Sequence, residues 1–304
     1  MRVALFTIIA VFLLVFSFPD RISSDPVHFS LPVSVSDEAW RPLQYFENPD
    51  LQQKLQKELN KHQLWKRLIE KQKMAVGLVD LTDPALPKFA HINGSEMMYA
   101  ASLPKIAVML AACQSLEDGN LRQTPGVSQD LHNMIRYSDN AAATRLIDYV
   151  GFKKIEAVLR SPKYRLYDPK QGGGLWVGKR YAKTGKRYPE PMQGLSHAAT
   201  VDQVCRFYYL LATGRLINVE RSREMLQMLS SPGLHHKFVR SLEAIAPNAQ
   251  LFRKSGTWRN WHSDSVLVWE DGTRHYILVG LIEHPQGGKI LEELVPVVEK
   301  VLYQ

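Results

Sequence analysis

The stretch SLPKIAVMLAAC, residues 102–113, predicts both a central element of the fold and a reactive side chain. Apolar residues continue around almost every side of the helical pattern as far as Leu116, which predicts a buried central helix. Pro104 suits the first helical position, because its backbone is already restricted to a helical φ, and it places Ser102 at the helix N-terminus. The stretch therefore predicts a serine at the N-terminal end of a helix in the centre of the fold.

Ser102 and Lys105 are three residues apart, so they share one face of the predicted helix. The free N–H groups and the dipole of a helix N-terminus stabilise negative charge that develops there. An ammonium group among apolar side chains can lose its proton and act as a base toward a nearby hydroxyl. The pair predicts a nucleophilic serine with a lysine base. Taken alone, these residues also fit a capping serine beside a solvated lysine.

Ser138-Asp139-Asn140 interrupts a second helical region, which runs from Asp130 to Val150. Serine and asparagine are capping residues, so the plain interpretation is a break between two helices. The functional interpretation is that Ser138 relays a proton to a leaving nitrogen. In that case the Asn140 amide holds Lys105 and a substrate carbonyl.

Lys254-Ser255-Gly256-Thr257 lies on a predicted strand near the C-terminus. It offers a cation, a hydroxyl and, at the glycine, an unobstructed backbone along which a substrate can lie. The N–H of Thr257 is predicted to pair with that of Ser102 as an oxyanion hole. A similar triplet, Lys183-Thr184-Gly185, has no strand pattern around it and is rejected.

Predicted strands come from both ends of the chain, and predicted helices fill its middle. The strands are Met74–Leu81, Lys88–Ile92, Gln250–Lys254, Ser263–Glu270 and Thr273–Glu283, with hairpin signals at Asn93-Gly94 and Asp271-Gly272. Helical patterns begin at residue 48, recur over 103–116, 130–150, 199–216 and 219–229, and end the chain at 289–302. This order predicts an α/β fold of the α+β type. An antiparallel sheet is flanked by N- and C-terminal helices, and an all-helical lobe is inserted between its strands.

The 304 residues are 45% apolar and 22% charged, which excludes disordered, collagen-like and disulfide-dense chains. Residues 1–18 combine Arg2 with an apolar run and predict a signal peptide or a membrane anchor. Residues 19–47 predict a lead-in or linker, and residues 48–304 a single domain. We expect a periplasmic or secreted monomer, held to a membrane where the N-terminal segment is retained. Cys113 and Cys205 are predicted to be buried thiols, with a disulfide as the alternative.

The formal net charge of +8 fits an envelope-facing surface and does not by itself indicate nucleic acid binding, which we do not expect of an exported chain. Gly173–Lys179 resembles a phosphate-binding loop, but no strand precedes it and Arg180 stands where serine or threonine would bind magnesium. His235-His236 has no partners at metal-ligand spacing. We therefore expect no metal and no cofactor.

With all three motifs in this order, the chain resembles the class A β-lactamase-like family of serine hydrolases, relatives of penicillin-binding proteins. The resemblance runs from about Asn48 to Gln304. It also rests on Ile135–Ala143, Ala198-Ala199-Thr200 and Leu210–Leu216.

The resemblance implies a β-lactamase/transpeptidase-like fold and a role for each motif. Ser102 would be the acylated nucleophile, Lys105 its general base and Ser138 the proton shuttle. The substrate-binding residues implied are Asn140, Lys254, Ser255, Gly256 and Thr257.

The chain departs from the family pattern in two places. Its class A members carry a loop glutamate that activates the deacylating water, but residues 164–183 contain no glutamate. Asp168 and Glu190 are the nearby acids, either recruited for that task or solvated in the loop. A substrate-binding arginine is also replaced, by the segment 262–264, and Arg274 is the candidate substitute.

These observations predict a serine hydrolase that acts through an acyl-enzyme on a β-lactam or a related amide. The alternatives are a peptidoglycan D,D-peptidase or esterase acting on a cell-wall peptide or small molecule, and a non-catalytic penicillin-binding sensor.

Overall fold

A computed structural model describes residues 30–304 as an antiparallel sheet with helices on both faces. The strands are β1 (Met74–Asp80), β2 (Lys88–Ile92), β3 (Met98–Tyr99), β4 (Tyr167–Asp168), β5 (Gly173–Gly174), β6 (Trp176–Val177), β7 (His197–Ala199), β8 (Gln250–Trp258), β9 (Trp261–Glu270) and β10 (Arg274–Glu283). The helices are α1 (Pro49–Asn60), α2 (Gln63–Glu70), α3 (Lys105–Glu117), α4 (Pro125–Arg136), α5 (Asn140–Val150), α6 (Phe152–Arg160), α7 (Val201–Ala212), α8 (Val219–Leu229), α9 (Phe238–Ile245) and α10 (Gly287–Tyr303). The signal or anchor segment predicted at residues 1–18 lies outside the described residues.

The main sheet is built from both ends of the chain, in the order β2-β1-β10-β9-β8, and every neighbouring pair is antiparallel. Six successive residues of β9, Ser263–Val268, are buried, so this strand is covered on both faces. Gly272, with φ +74°, supplies the left-handed residue that the β9–β10 turn requires. The predicted sheet and its Asp271-Gly272 hairpin are confirmed.

The two faces of the sheet pack against different parts of the chain. On one face, α1, α9 and α10 form an apolar layer with Leu55, Leu278 and Leu291 at its centre. On the other face, α7 and the helices of the middle region form a larger cluster around α3. The predicted arrangement of terminal helices, sheet and inserted helical lobe is confirmed.

Helix ends in both layers follow local capping chemistry. Asn48 accepts a hydrogen bond from the Leu51 N–H at 2.9 Å, and Pro49 occupies the first turn of α1. Between α4 and α5 the cap is Asp139, whose carboxylate accepts from the N–H groups of Ala141 and Ala142. The predicted break is therefore present, but the residue that caps α5 is the aspartate.

The predicted lead-in is part of the folded unit over the residues that the structure describes, 30–47. Val33 is 1% exposed and its N–H donates to the carbonyl of Ala212 in α7. A 3-10 helix at Leu43–Phe46 buries Leu43 in the cluster around α3. The described residues 30–47 therefore pack against the unit predicted to begin at residue 48.

The predicted Asn93-Gly94 hairpin is wrong, because β2 pairs with β1 while β3 belongs to a small second sheet with β7. The Asn93 side chain instead donates to the carbonyls of Ile69 and Met74, both at 2.9 Å. These long-range bonds hold the turn against the start of β1 and send the chain away from the main sheet.

Three further predictions concern thiols, membranes and metals. Cys113 and Cys205 are buried and unbridged, as predicted. Within residues 30–304, no helix is long and apolar enough to cross a membrane. The same residues contain no group of three histidine, cysteine or acidic side chains that could hold a metal ion.

A buried ion pair ties β8 to β9. The guanidinium of Arg253 donates to both carboxylate oxygens of Asp264, at 2.7 and 2.8 Å, and the two side chains are 2% and 0% exposed. The same carboxylate accepts from the Phe238 N–H at the start of α9. Sheet and helix are therefore joined through one desolvated charge pair.

We expect Asp264→Ala to lower the free energy of unfolding by about 3–5 kcal/mol, because it leaves the Arg253 charge buried and unpaired. Urea unfolding at neutral pH measures this change. The matched control is Glu293→Ala, which removes the acid of a surface pair with Lys289 and should cost under about 1 kcal/mol. Equal losses in the two variants would contradict the assigned role.

Candidate active site

A cavity of about 760 Å³ brings the three sequence motifs together. Ser102, Asn140 and Thr257 all line it, one from each motif. The cavity lies between the turn before α3, the end of β8 and the loop that precedes β7. Residues more than 150 positions apart in the sequence thus line the same cavity.

Ser102 lies in a tight turn just before α3, which begins at Lys105. Pro104 is the N-cap rather than the first helical residue, because the chain enters the helix through turns such as Leu103 N–H to Ala100 carbonyl at 3.0 Å. Ala101 adopts φ +51°, a strained conformation for a residue with a side chain. Among the described residues, the Ser102 hydroxyl has no hydrogen-bond partner.

Lys105 is fully buried and faces the second motif. Its Nζ donates to the Ser138 carbonyl at 2.6 Å and to Asn140 Oδ1 at 2.8 Å, and it lies 3.3 Å from Ser138 Oγ. Burial lowers the pKa of Lys105 to about 7, against the opposing charge of Asp139. A substantial fraction of this side chain is therefore neutral near pH 7.

Lys254 approaches Ser138 from the other side. Its Nζ donates to Ser138 Oγ at 3.0 Å and to the Ser255 carbonyl at 2.8 Å. Burial, and then the charge of Lys105, hold the pKa of Lys254 well below its ordinary value. The Ser138 hydroxyl thus lies between two lysines whose positive charges oppose each other.

Gly256 allows β8 to lie directly against the turn that carries Ser102. A Cβ at this position would lie 2.4 Å from the Ala100 carbonyl oxygen and 2.5 Å from the Ser102 nitrogen. Ser255 is only 3% exposed, whereas Thr257 lines the cavity. Thr257 is therefore the side chain of the Lys254–Thr257 motif that is exposed to a ligand in the cavity.

Lys237 is a residue of the site that the sequence reasoning missed. It is 4% exposed and donates to the Gly256 carbonyl, Thr257 Oγ1 and the Ser263 carbonyl, at 2.6, 2.8 and 3.1 Å. Burial lowers its pKa to about 8, and its φ is +57°. Lys237 is a cation at the N-terminus of α9, where the helix dipole disfavours positive charge. This unfavourable placement is the sequence feature from which its role could have been suspected.

The two nearby acids considered as water activators are used elsewhere. Asp168 accepts from the Lys170 N–H at 2.9 Å and starts a short 3-10 helix. Glu190 is 1% exposed and binds the Tyr167 hydroxyl and the N–H groups of Met192 and Gln193. The interpretation of Glu190 as a solvated carboxylate is therefore wrong, and neither acid lines the cavity.

Arg274 also lies away from the site. It pairs with Glu270 and Glu299 at 2.6 and 3.0 Å. The strand register aligns Gly256 with Ser263 and Ser263 with Leu281, seven residues from Arg274. Seven residues of strand span roughly 24 Å, so Arg274 cannot substitute for the missing arginine.

The loop before β7 adds a second missed residue, Tyr181. Its ring lies 4.5 Å from Lys105 Nζ and stacks on His197 with centroids 4.2 Å apart. The Lys183-Thr184-Gly185 triplet in this loop is exposed and outside any strand, as predicted. Hydrophobic periodicity could not predict that the Tyr181 side chain faces the site, because this loop has no helical or strand pattern.

The chain matches the model of the beta-lactamase enzyme family over residues 51–130 and 123–304. A search of curated proteins gives no significant match.

Solved structures share the fold at low sequence identity. The β-lactamase from Sphaerobacter thermophilus has a TM-score of 0.63 and 17% identity, covering 83% of this chain and 96% of its own. A structure of PBP-A has a TM-score of 0.61 and 14% identity, covering 84% and 97%. The class A β-lactamase from Mycobacterium abscessus has a TM-score of 0.60 and 16% identity, covering 81% and 100%. Since the family model spans most of the chain and the fold agrees, this protein belongs to the beta-lactamase enzyme family.

Proposed function

We propose that this protein is a serine hydrolase that opens a β-lactam or a related cell-wall amide through an acyl-enzyme on Ser102. The observation that carries the proposal is the hydroxyl of Ser138 between Lys105 and Lys254, beside a cavity that contains Ser102. This arrangement provides a nucleophile, a base with a pKa near 7 and a path for a proton.

Acylation proceeds by proton transfer from Ser102 to the neutral Lys105 as the serine oxygen bonds to the substrate carbonyl carbon. The proton then passes from Lys105 to Ser138, which gives its own proton to the leaving nitrogen as the C–N bond breaks. Lys254 supports this transfer, because its hydrogen bond fixes the Ser138 hydroxyl.

The negative oxygen of the tetrahedral intermediate is bound by the N–H groups of Ser102 and Thr257. The close approach at Gly256 supports this assignment, because it brings the end of β8 beside the Ser102 nitrogen. Backbone donors held in place by a strand and a turn need no reorganisation as charge develops.

The substrate we propose carries a carboxylate. Lys179 and Lys183 line the cavity, as does Arg180, which pairs with Asp148 at 2.6 Å, and none of the lining side chains within residues 30–304 is acidic. Behind Thr257, Lys237 adds another buried positive charge. These positive charges attract the carboxylate of a β-lactam acid or of a peptide with a free C-terminus.

A second candidate is a penicillin-binding peptidase or sensor whose acyl-enzyme persists. The specific observation in its favour is that the described part of the cavity wall has no carboxylate to activate water. Without such a group, water attacks the Ser102 ester slowly. The two candidate functions therefore differ in the lifetime of the Ser102 acyl-enzyme.

We expect purified protein to bind a fluorescent penicillin covalently at Ser102, and Ser102→Ala to show no label. Gel fluorescence and intact mass after a chase with unlabelled penicillin measure the lifetime of the adduct. Rapid loss of label with product accumulation supports a lactamase, and label that lasts for hours supports the second candidate. Absence of Ser102-dependent labelling, with no hydrolysis of esters or D-Ala-D-Ala peptides, would contradict both.

We expect the second-order rate constant of acylation to rise about tenfold between about pH 6 and pH 8. The reacting form of Lys105 is the neutral amine, and its fraction increases as pH passes through a pKa of about 7. Stopped-flow labelling over this range measures the profile, with circular dichroism at each pH as the control for folding. A flat profile would exclude Lys105 as the base.

We expect Gly256→Ala to slow acylation about a hundredfold, because the new methyl group must displace the Ser102 nitrogen from the oxyanion hole. The control is Gly126→Ala, where the nearest atom, Thr124 Oγ1, is 3.8 Å from the added Cβ. Thermal unfolding checks that both variants are folded. A folded Gly256→Ala variant with the wild-type acylation rate would refute this oxyanion hole.

A further inference from the structure

Tyr181 is the side chain that covers the base. Its ring lies 4.5 Å from Lys105 Nζ, and its hydroxyl donates to the Ala101 carbonyl at 3.3 Å. Ala101 is the strained residue immediately before Ser102. One aromatic side chain thus contacts both the base and the backbone of the turn that carries the nucleophile.

His197 holds the ring of Tyr181 from β7. The two rings are nearly parallel, at 2°, with centroids 4.2 Å apart. The Ala100 N–H donates to the His197 carbonyl at 2.8 Å, so the histidine is anchored to the same turn. Burial lowers the pKa of His197 to about 3, so the imidazole is neutral at physiological pH. The stacked pair is therefore uncharged and rigidly placed.

The described residues that line the cavity beside Lys105 include no carboxylate that could activate an incoming water. His197 is 5% exposed, and its Nδ1 is buried without a hydrogen-bond partner among the described residues. Asp168 and Glu190, the acids on either side of Tyr181 in the sequence, accept hydrogen bonds from backbone N–H groups of their own turns. The flat apolar ring of Tyr181 occupies space beside the base without offering a proton acceptor there.

We propose that Tyr181 is a positioning residue that keeps water away from the Lys105 side of the Ser102 acyl-enzyme and so prolongs the lifetime of that intermediate. This inference rests on the proposed function, because it concerns the second half of the same reaction. Hydrolysis requires a water oxygen to bond to the ester carbon while the bond from that carbon to Ser102 Oγ breaks. One water proton ends on Ser102 through Lys105, and the released acid keeps the hydroxyl. Tyr181 slows this step by excluding the water, and it affects acylation only through the pKa of Lys105.

The experiment compares Tyr181→Ala, Tyr181→Leu and Tyr181→Phe with the wild type, after labelling with fluorescent penicillin and a chase. Tyr181→Ala and Tyr181→Leu should lose the label at least tenfold faster, and Tyr181→Phe should match the wild type because it retains the ring. The matched control is Tyr188→Ala. Tyr188 is in the same loop and stacks on Phe152 and Trp176, but it does not line the cavity.

A second readout separates water exclusion from a structural role. Admitting water to Lys105 reduces the burial that lowers its pKa, so the midpoint of the acylation profile should move to higher pH in Tyr181→Ala. Tyr188→Ala should leave that midpoint unchanged.

Two results would overturn the inference. One is a Tyr181→Ala adduct that decays at the wild-type rate. The other is loss of acylation in both Tyr181→Ala and Tyr181→Leu at a pH above the acylation midpoint of each variant, because Lys105 is neutral there and the proposal gives Tyr181 no further part in that step. Failure of the proposed function is distinguishable, because the wild type itself would then acquire no Ser102-dependent label.

Discussion

The burial of Lys105 and Lys254 on either side of one hydroxyl is the constraint on which the site depends. Each Nζ lies within 3.3 Å of Ser138 Oγ, and both lysines are almost fully buried. Two ammonium ions so close together in a dry environment repel each other, so protons leave this cluster readily. The fold must hold the pair in place despite that repulsion. It does so by fixing each lysine on a regular element, α3 or β8, and by placing Ser138 in the break between α4 and α5.

The opposite face of β8 contains the compensating structure. Asp264 is the buried carboxylate that pairs with Arg253 and caps α9, and Lys237 at the start of that helix reaches the carbonyl of Gly256. The strand that carries Lys254 is therefore held by charge contacts on its outer face and by packing against the Ser102 turn on its inner face. A substitution at Asp264 accordingly acts on stability first, while one at Gly256 acts on the geometry of the nucleophile.

Features set by nearby residues were predictable from the sequence. The apolar run of α3, the Asn48 cap and the Asp271-Gly272 turn each depend on only a few neighbours, and each was found where predicted. Residues of all three motifs line one cavity, as the family resemblance implied, although the local pattern of each motif could not place it beside the others. Glu190, Lys237 and Tyr181 were misread or missed because their roles come from partners that are distant in sequence or from an irregular loop. The hairpin predicted at Asn93-Gly94 was wrong for the same reason, since the Asn93 side chain binds two carbonyls that are distant in sequence.

A single physical property, dryness around Lys105, has opposite consequences for the two halves of the proposed reaction. Burial lowers the pKa of the lysine to about 7, which makes it a usable base for Ser102. The same burial, completed by the ring of Tyr181, leaves little room for the water that must release the acyl group. Fast deacylation in such a site requires a polar group that binds water without solvating the lysine, and a carboxylate on the cavity wall would meet that need. Since none of the described side chains that line the cavity is acidic, the proposed reaction should form the acyl-enzyme faster than it breaks it.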